Sequence, residues 1–149
     1  YYTAKRNKLK GSIDLENCIV KQTTPSDRPD GKECLMLVVV KEGQKLEDGE
    51  KVLYFDVPPD SQQTREEWLV AINNKISLLK YQRKMRDKGL KEEVDVLEFF
   101  DNLHNPDVKE FSMERKPNQD PVSYDAIEAI VYPIKHHTRL QILNLKGIK

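Results

Sequence analysis

The sequence predicts an α+β chain: a β-rich first half closed by one helix, then helix-plus-strand units. Three observations carry this. The run Lys51-Val52-Leu53-Tyr54-Phe55-Asp56-Val57 reads as a strand and passes through Pro58-Pro59-Asp60 into an amphipathic segment bearing the only tryptophan, Trp68. Residues 34–40 (Cys-Leu-Met-Leu-Val-Val-Val) form an unbroken apolar run of strand length. Beyond residue 90 the period changes, and a helix-then-strand pattern occurs twice.

In chain order, Tyr1–Ala4 reads as a strand end, Lys5–Lys8 as a turn, and Gly11–Leu15 as an alternating strand. Cys18–Lys21 is the next strand. Residues 25–31 (Pro-Ser-Asp-Arg-Pro-Asp-Gly) have turn chemistry. Glu42–Glu50 is a polar loop with Asp48-Gly49, which makes residues 51–57 the hairpin partner of 34–41. Ser61 is one candidate helix cap. Thr64-Arg65-Glu66-Glu67 fits a capping box, with the Thr64 hydroxyl and the Glu67 carboxylate each satisfying the other's backbone N–H. Trp68, Ile72, Ile76 and Leu79 repeat at three and four, and Gly89 is the natural stop. A helix over 64–88 spans about 37 Å, more than one small sheet needs, so its last turns are expected to act as a linker.

In the second half, Leu90–Leu103 is helical with Val94, Leu97, Phe100 and Leu103 as its apolar positions. Val108–Met113 is a short strand, Val122–Ile134 a helix that Pro133 ends or kinks, and Leu140–Leu145 a second strand. Val108, Phe111 and Met113 precede Leu140, Leu143 and Leu145 by 32 positions, as expected for an internal repeat. Trp68, Ile72, Phe55, Phe99, Phe100, Phe111 and Leu143 are expected to be structural core.

Composition bounds the function. The 149 residues carry 25 bases and 25 acids, with 38% hydrophobic residues. No run approaches the ~18 apolar residues of a membrane span. There is no starting Met and no signal peptide, so the chain reads as a fragment. Cys18 and Cys34 read as reduced core thiols, with a disulfide between adjacent strands as the alternative. CxxC and HExxH are absent, and His104, His136 and His137 are poorly placed for a metal site. No nucleophile elbow or phosphate-cradling glycine pattern occurs. Neither an enzyme nor a cofactor is expected. Charge is distributed unevenly. Lys5, Arg6, Lys8 and Lys10 make the first eleven residues purely basic, and Lys80, Arg83, Lys84, Arg86, Lys88 and Lys91 form a second block broken only by Asp87. Such blocks meet anionic phosphates or are plain solvated faces.

Two resemblances follow from these residues. Lys10-Gly11-Ser12-Ile13-Asp14-Leu15-Glu16-Asn17, then Tyr54-Phe55-Asp56-Val57 and Glu67-Trp68 with Ala71-Ile72, resemble a pleckstrin-homology domain over residues 1–82. The resemblance implies a partial sheet or barrel closed by a C-terminal helix. The resemblance implies two further strands and a basic loop ahead of Tyr1, so residues 1–82 are expected to be an N-terminally incomplete domain. Val108-Lys109, Phe111-Ser112, Asn118, Asp120-Pro121-Val122, Ala126, Ala129, Leu140 and Leu143-Asn144-Leu145 resemble the leucine-rich repeats of tropomodulin-like actin regulators over residues 94–149, with 83–93 as a helical linker.

The resemblances imply a cytoplasmic adaptor at the membrane periphery or the cytoskeleton. Lys5, Arg6, Lys8 and Lys10 would contact phosphoinositide headgroups weakly. Lys109, Glu110, Gln141 and Asn144 would contact actin or an actin-regulating protein, with Asn144 alternatively satisfying backbone in the repeat turn. Nucleic acid is not expected as a partner. A pure protein scaffold, or the regulatory part of a leucine-rich-repeat phosphatase, is the other reading.

Overall fold

The computed structural model describes residues 12–28, 30–40, 51–103, 105, 107–115, 117–134 and 140–146. Three strands, β1 (Cys18–Gln22), β2 (Leu35–Val39) and β3 (Lys51–Phe55), form an antiparallel sheet in the order β1-β2-β3. Val20 lies opposite Leu37, which lies opposite Leu53. Central β2 is buried on both faces, which explains its unbroken apolar run. Leu37 joins Cys18, Val20 and Ile76 in one cluster, whereas Met36, Val38 and Val40 form another with Ile19. Cys18 and Cys34 are both buried free thiols.

The expected strand at Gly11–Leu15 is not seen among the described residues. Residues 12–14 are irregular and Leu15–Asn17 is a single 3-10 turn. Asp14 is the cause: its carboxylate accepts from the Glu16 N–H at 3.0 Å and from the Asn17 amide at 3.4 Å, closing a local turn that competes with sheet pairing.

Helix α1 (Arg65–Asp87) starts with the expected capping box: the Glu67 N–H donates to Thr64 Oγ1 at 3.2 Å, and the Thr64 N–H donates to the Glu67 carboxylate at 2.6 Å. Ser61 instead accepts from the Gln63 N–H. The helix ends where Gly89 adopts φ +64°, a conformation glycine takes without a Cβ penalty. The Leu90 N–H then reaches the Met85 carbonyl (2.8 Å) and the Gly89 N–H the Arg86 carbonyl (3.0 Å), a Schellman closure.

The helix buries a different stripe from the expected one. Leu69, Ile72 and Ile76 pack on the sheet with Phe55 and Leu53, whereas Trp68 is 45% exposed. Either Trp68 or Leu69 completes a stripe with Ile72 and Ile76 at helical spacing, and the helix is rotated to favour Leu69. Trp68→Ala is therefore expected to cost at most about 1 kcal/mol. Ile76→Ala should cost about 2–5 kcal/mol. Urea denaturation of the two variants checks the order.

The last turns of α1 are core rather than linker. Tyr81 and Met85 are buried among Val96, Phe99, Phe100 and Leu103 of and after α2 (Val94–Asn102), Phe111 and Met113 of β4 (Glu110–Glu114), and Ala126, Ala129, Ile130 and Ile134 of α3 (Tyr124–Ile134). Met85 thus lies in this core from within the segment 83–93. Val94, one of the apolar positions of the expected helix, is 63% exposed because α2 starts there and its buried stripe is 96/99/100/103. Pro133 sits in the last turn of α3 and is buried. β5 (Ile142–Lys146) pairs with β4 in parallel, Glu110 opposite Ile142 and Met113 opposite Leu145. The ladder register is the 32-residue offset visible in the sequence.

Much of the second basic block holds the fold together. Arg83 and Arg86 reach Glu16 at 3.7 and 3.4 Å, and Arg83 also reaches the Asn17 side chain at 3.2 Å, tying the 3-10 turn to α1. Lys88 bridges Asp125 (2.6 Å) and Glu128 (2.9 Å), and Lys84 lies over the Tyr132 ring at 4.8 Å, tying α3 to the same helix. The Asp125 and Glu128 bonds raise the Lys88 pKa above its ordinary value. Lys80 has its pKa lowered by burial.

Candidate functional site

Of the residues singled out in the sequence, Lys5, Arg6, Lys8 and Lys10 lie outside the described residues. The other four meet on one small sheet. In β4 the side chains alternate, with Phe111 and Met113 inward and Glu110, Ser112 and Glu114 outward. The register sets Ser112 beside Asn144 and Glu114 beside Lys146, whose ammonium bonds the Glu114 carboxylate at 2.9 Å. Lys109 and Gln141 meet at the mouth of the ladder: the Lys109 carbonyl accepts from the Gln141 N–H (2.8 Å) and the Ile142 N–H (3.1 Å). Both are exposed, as are Glu110 and Asn144. Asn144 makes no side-chain hydrogen bond to backbone among the described residues. Leu143, expected in the core, is 45% exposed: among the described residues β5 has one strand neighbour and presents its far edge.

A groove of about 380 Å³ runs along this sheet between α2 and β4. Asp95, Glu98 and Asn102 form one wall, Glu110 and Ser112 the other, and Phe99 and Phe111 the floor. Its lining holds three carboxylates and no base. None of the three makes an ion pair among the described residues. Sequence reasoning missed Asp95 and Glu98, although steps of three and four place Asp95, Glu98 and Asn102 on one helix row.

A second cleft, about 710 Å³, lies where the α1–α2 connection meets the β4–α3 loop. An ion pair between Arg115 and Glu93 crosses it, and the Glu93 N–H donates to the Tyr81 hydroxyl at 2.7 Å. Burial pushes the Tyr81 pKa up to about 12, so the phenol stays neutral as that acceptor. Charges of both signs line this cleft, and no single ligand chemistry follows from them. Among the described residues no group of His, Cys, Asp and Glu is arranged to hold a metal ion, and no helix is long and apolar enough to cross a membrane.

A small antiparallel sheet closed by a capped helix is the frame of a small mixed α/β module. Residues 1–77 match the model of the PH domain family, just over half of the chain, and the chain belongs to that family. The match ends inside α1, which continues to Asp87. Comparison with curated proteins gives no match, and comparison with solved structures gives none.

Proposed function

We propose that this chain is a non-enzymatic adaptor that joins a membrane-facing PH portion, residues 1–82, to a protein-binding portion, residues 94–149, built from leucine-rich repeat units. The observation that carries the second half is the parallel β4–β5 pairing at an offset of 32 residues, with α3 packed between the strands in sequence. A solenoid grows by this kind of addition, and its exposed strand face is where partners dock. Glu110, Asn144, Lys109 and Gln141 share that face or its mouth. Resemblance to tropomodulin-like proteins makes actin or an actin regulator the partner class. Such an adaptor works in the cytoplasm, at the membrane periphery or on the cytoskeleton.

Lys5, Arg6, Lys8 and Lys10 supply the lipid contact. A basic side chain near an anionic surface contributes about 1 kcal/mol, within a screening length of ~10 Å at 0.1 M salt. Full-chain co-sedimentation with phosphoinositide vesicles should therefore be weak, abolished by high salt, and lost when all four are changed to Ala. Tight, salt-resistant binding to one phosphoinositide would count against it. One observation favours a scaffold that binds no lipid: Arg83, Lys84, Arg86 and Lys88 of the second basic block have internal partners. Wild-type vesicle co-sedimentation at low salt separates the readings: the adaptor should bind and the scaffold should not, while actin co-sedimentation of the quadruple variant should be unchanged in both.

A further inference from the structure

The loop between β1 and β2 holds an acceptor site that neither the lipid nor the repeat reading uses. Of the eight prolines in the chain, only Pro25 follows a serine or threonine, Thr24. Thr24, Pro25 and Ser26 are all exposed. A residue before proline is steered away from helix, and here the Asp27 N–H donates to the Thr24 carbonyl at 3.0 Å, so Thr24 opens an exposed turn over residues 24–27.

The Thr24 hydroxyl sits in a prepared charge environment. It donates to Asp27 Oδ2 at 2.8 Å, and the Thr24 N–H donates to the same oxygen at 2.6 Å. Lys21 Nζ donates to the other oxygen, Oδ1, at 3.1 Å. The Thr24 oxygen and the Lys21 ammonium are therefore bridged by one carboxylate. The Thr24 backbone bond, then its hydroxyl, then Lys21 hold the Asp27 pKa at about 2. The same residue anchors the loop to the sheet: the Tyr54 hydroxyl donates to the Asp27 carbonyl at 3.2 Å, and the Arg28 guanidinium lies 5.3 Å above the Tyr54 ring.

We propose that Thr24 is a phosphorylation site for a proline-directed kinase, and that the added phosphate takes Lys21 from Asp27. In the transfer the Thr24 oxygen forms a bond to the γ-phosphorus of ATP. The bond from that phosphorus to the β,γ-bridging oxygen breaks, ADP leaves, and the hydroxyl proton passes to the kinase's catalytic carboxylate. The product carries about −1.5 to −2 charges and three acceptor oxygens. Placed within hydrogen-bonding distance of Asp27, it repels that carboxylate and competes for the Thr24 N–H and Lys21, which are already in reach. Displacing Asp27 releases the turn that accepts from Tyr54. Phosphorylation thus exchanges one ion pair for another and frees the loop from the sheet.

Other hydroxyls nearby are poorer acceptors. Thr23 is buried, and its oxygen accepts from the Cys34 N–H at 2.8 Å. Ser26 is followed by Asp27 rather than proline. The test is to incubate the full chain with Mg-ATP and a proline-directed Ser/Thr kinase, weigh the intact product, and titrate its phosphate by ³¹P NMR. Wild type and Ser26→Ala should each gain a phosphate and Thr24→Ala none. The phosphate midpoint should lie below its ordinary value of about 6 and rise toward it in Lys21→Gln. An unmodified wild type, equal modification of Thr24→Ala, or the same midpoint with and without Lys21 would overturn the proposal.

Discussion

Replacing Tyr81 with Ala should destabilise the chain by at least about 3–5 kcal/mol, the usual cost of emptying a buried aromatic site. Tyr81 is fully buried, its ring centroid 6.3 Å from that of Phe100. Its hydroxyl accepts from the Glu93 N–H, so the truncation also orphans a donor at the connection between α1 and α2. With roughly 2–4 °C per kcal/mol for a chain of this size, Tm should fall by about 6–20 °C. Tyr81→Phe keeps the ring and loses only the acceptor, so its cost should be about 1–3 kcal/mol. Paired thermal melts of the two variants check both numbers, and equal losses would remove the ring from the argument.

Phe111→Ala should cost a similar ~3–5 kcal/mol. Phe111 is 1% exposed and meets Phe99 edge-on, with centroids 4.9 Å apart and an interplanar angle of 61°. Edge-to-face pairs add about 0.5–1.5 kcal/mol beyond burial. Among the described residues the sheet to which Phe111 belongs has two strands, and none further compensates for the cavity. Its neighbour Glu110 points outward, and Glu110→Ala should change stability by less than about 0.5 kcal/mol. Urea midpoints for the two variants test the inward–outward alternation on which the proposed binding face depends.

Local signals were legible in the sequence, and choices made by tertiary packing were not. The Thr64–Glu67 box and the Gly89 stop depend on a few adjacent residues, and both appear where their chemistry places them. The hairpin of β2 and β3 follows from two apolar runs across a polar loop. The 32-residue spacing was readable because in a parallel ladder it becomes the register itself. Trp68 illustrates the opposite case. Stripes through residue 68 or residue 69 are equally periodic, and only the sheet beneath the helix chooses between them. Asp14 turned an alternating pattern into a 3-10 turn, a competition that alternation does not reveal.

The site divides along the same line. The exposed row on β4 and β5 follows from strand alternation once the strands are found. The acidic groove needs α2 laid beside β4, so Asp95 and Glu98 join Glu110 only in three dimensions. Equally, the second basic block reads as a ligand surface until Glu16, Asp125 and Glu128 fold against it.

These contacts make α1 a strut common to both halves. Ile72 and Ile76 pack against the PH sheet, and Tyr81 and Met85 lie in the core beneath β4 and α3. The described sheet β1-β2-β3 and the described pair β4-β5 are thereby tied to one helix. Hydrogen exchange of wild-type chain in rising urea, read by mass spectrometry at β1–β2 and at β4–α3, tests this most directly. Shared cores predict that amides in the two regions lose protection together, at one urea concentration. Loss of β4–α3 protection while the sheet stays protected, or the reverse, would contradict it.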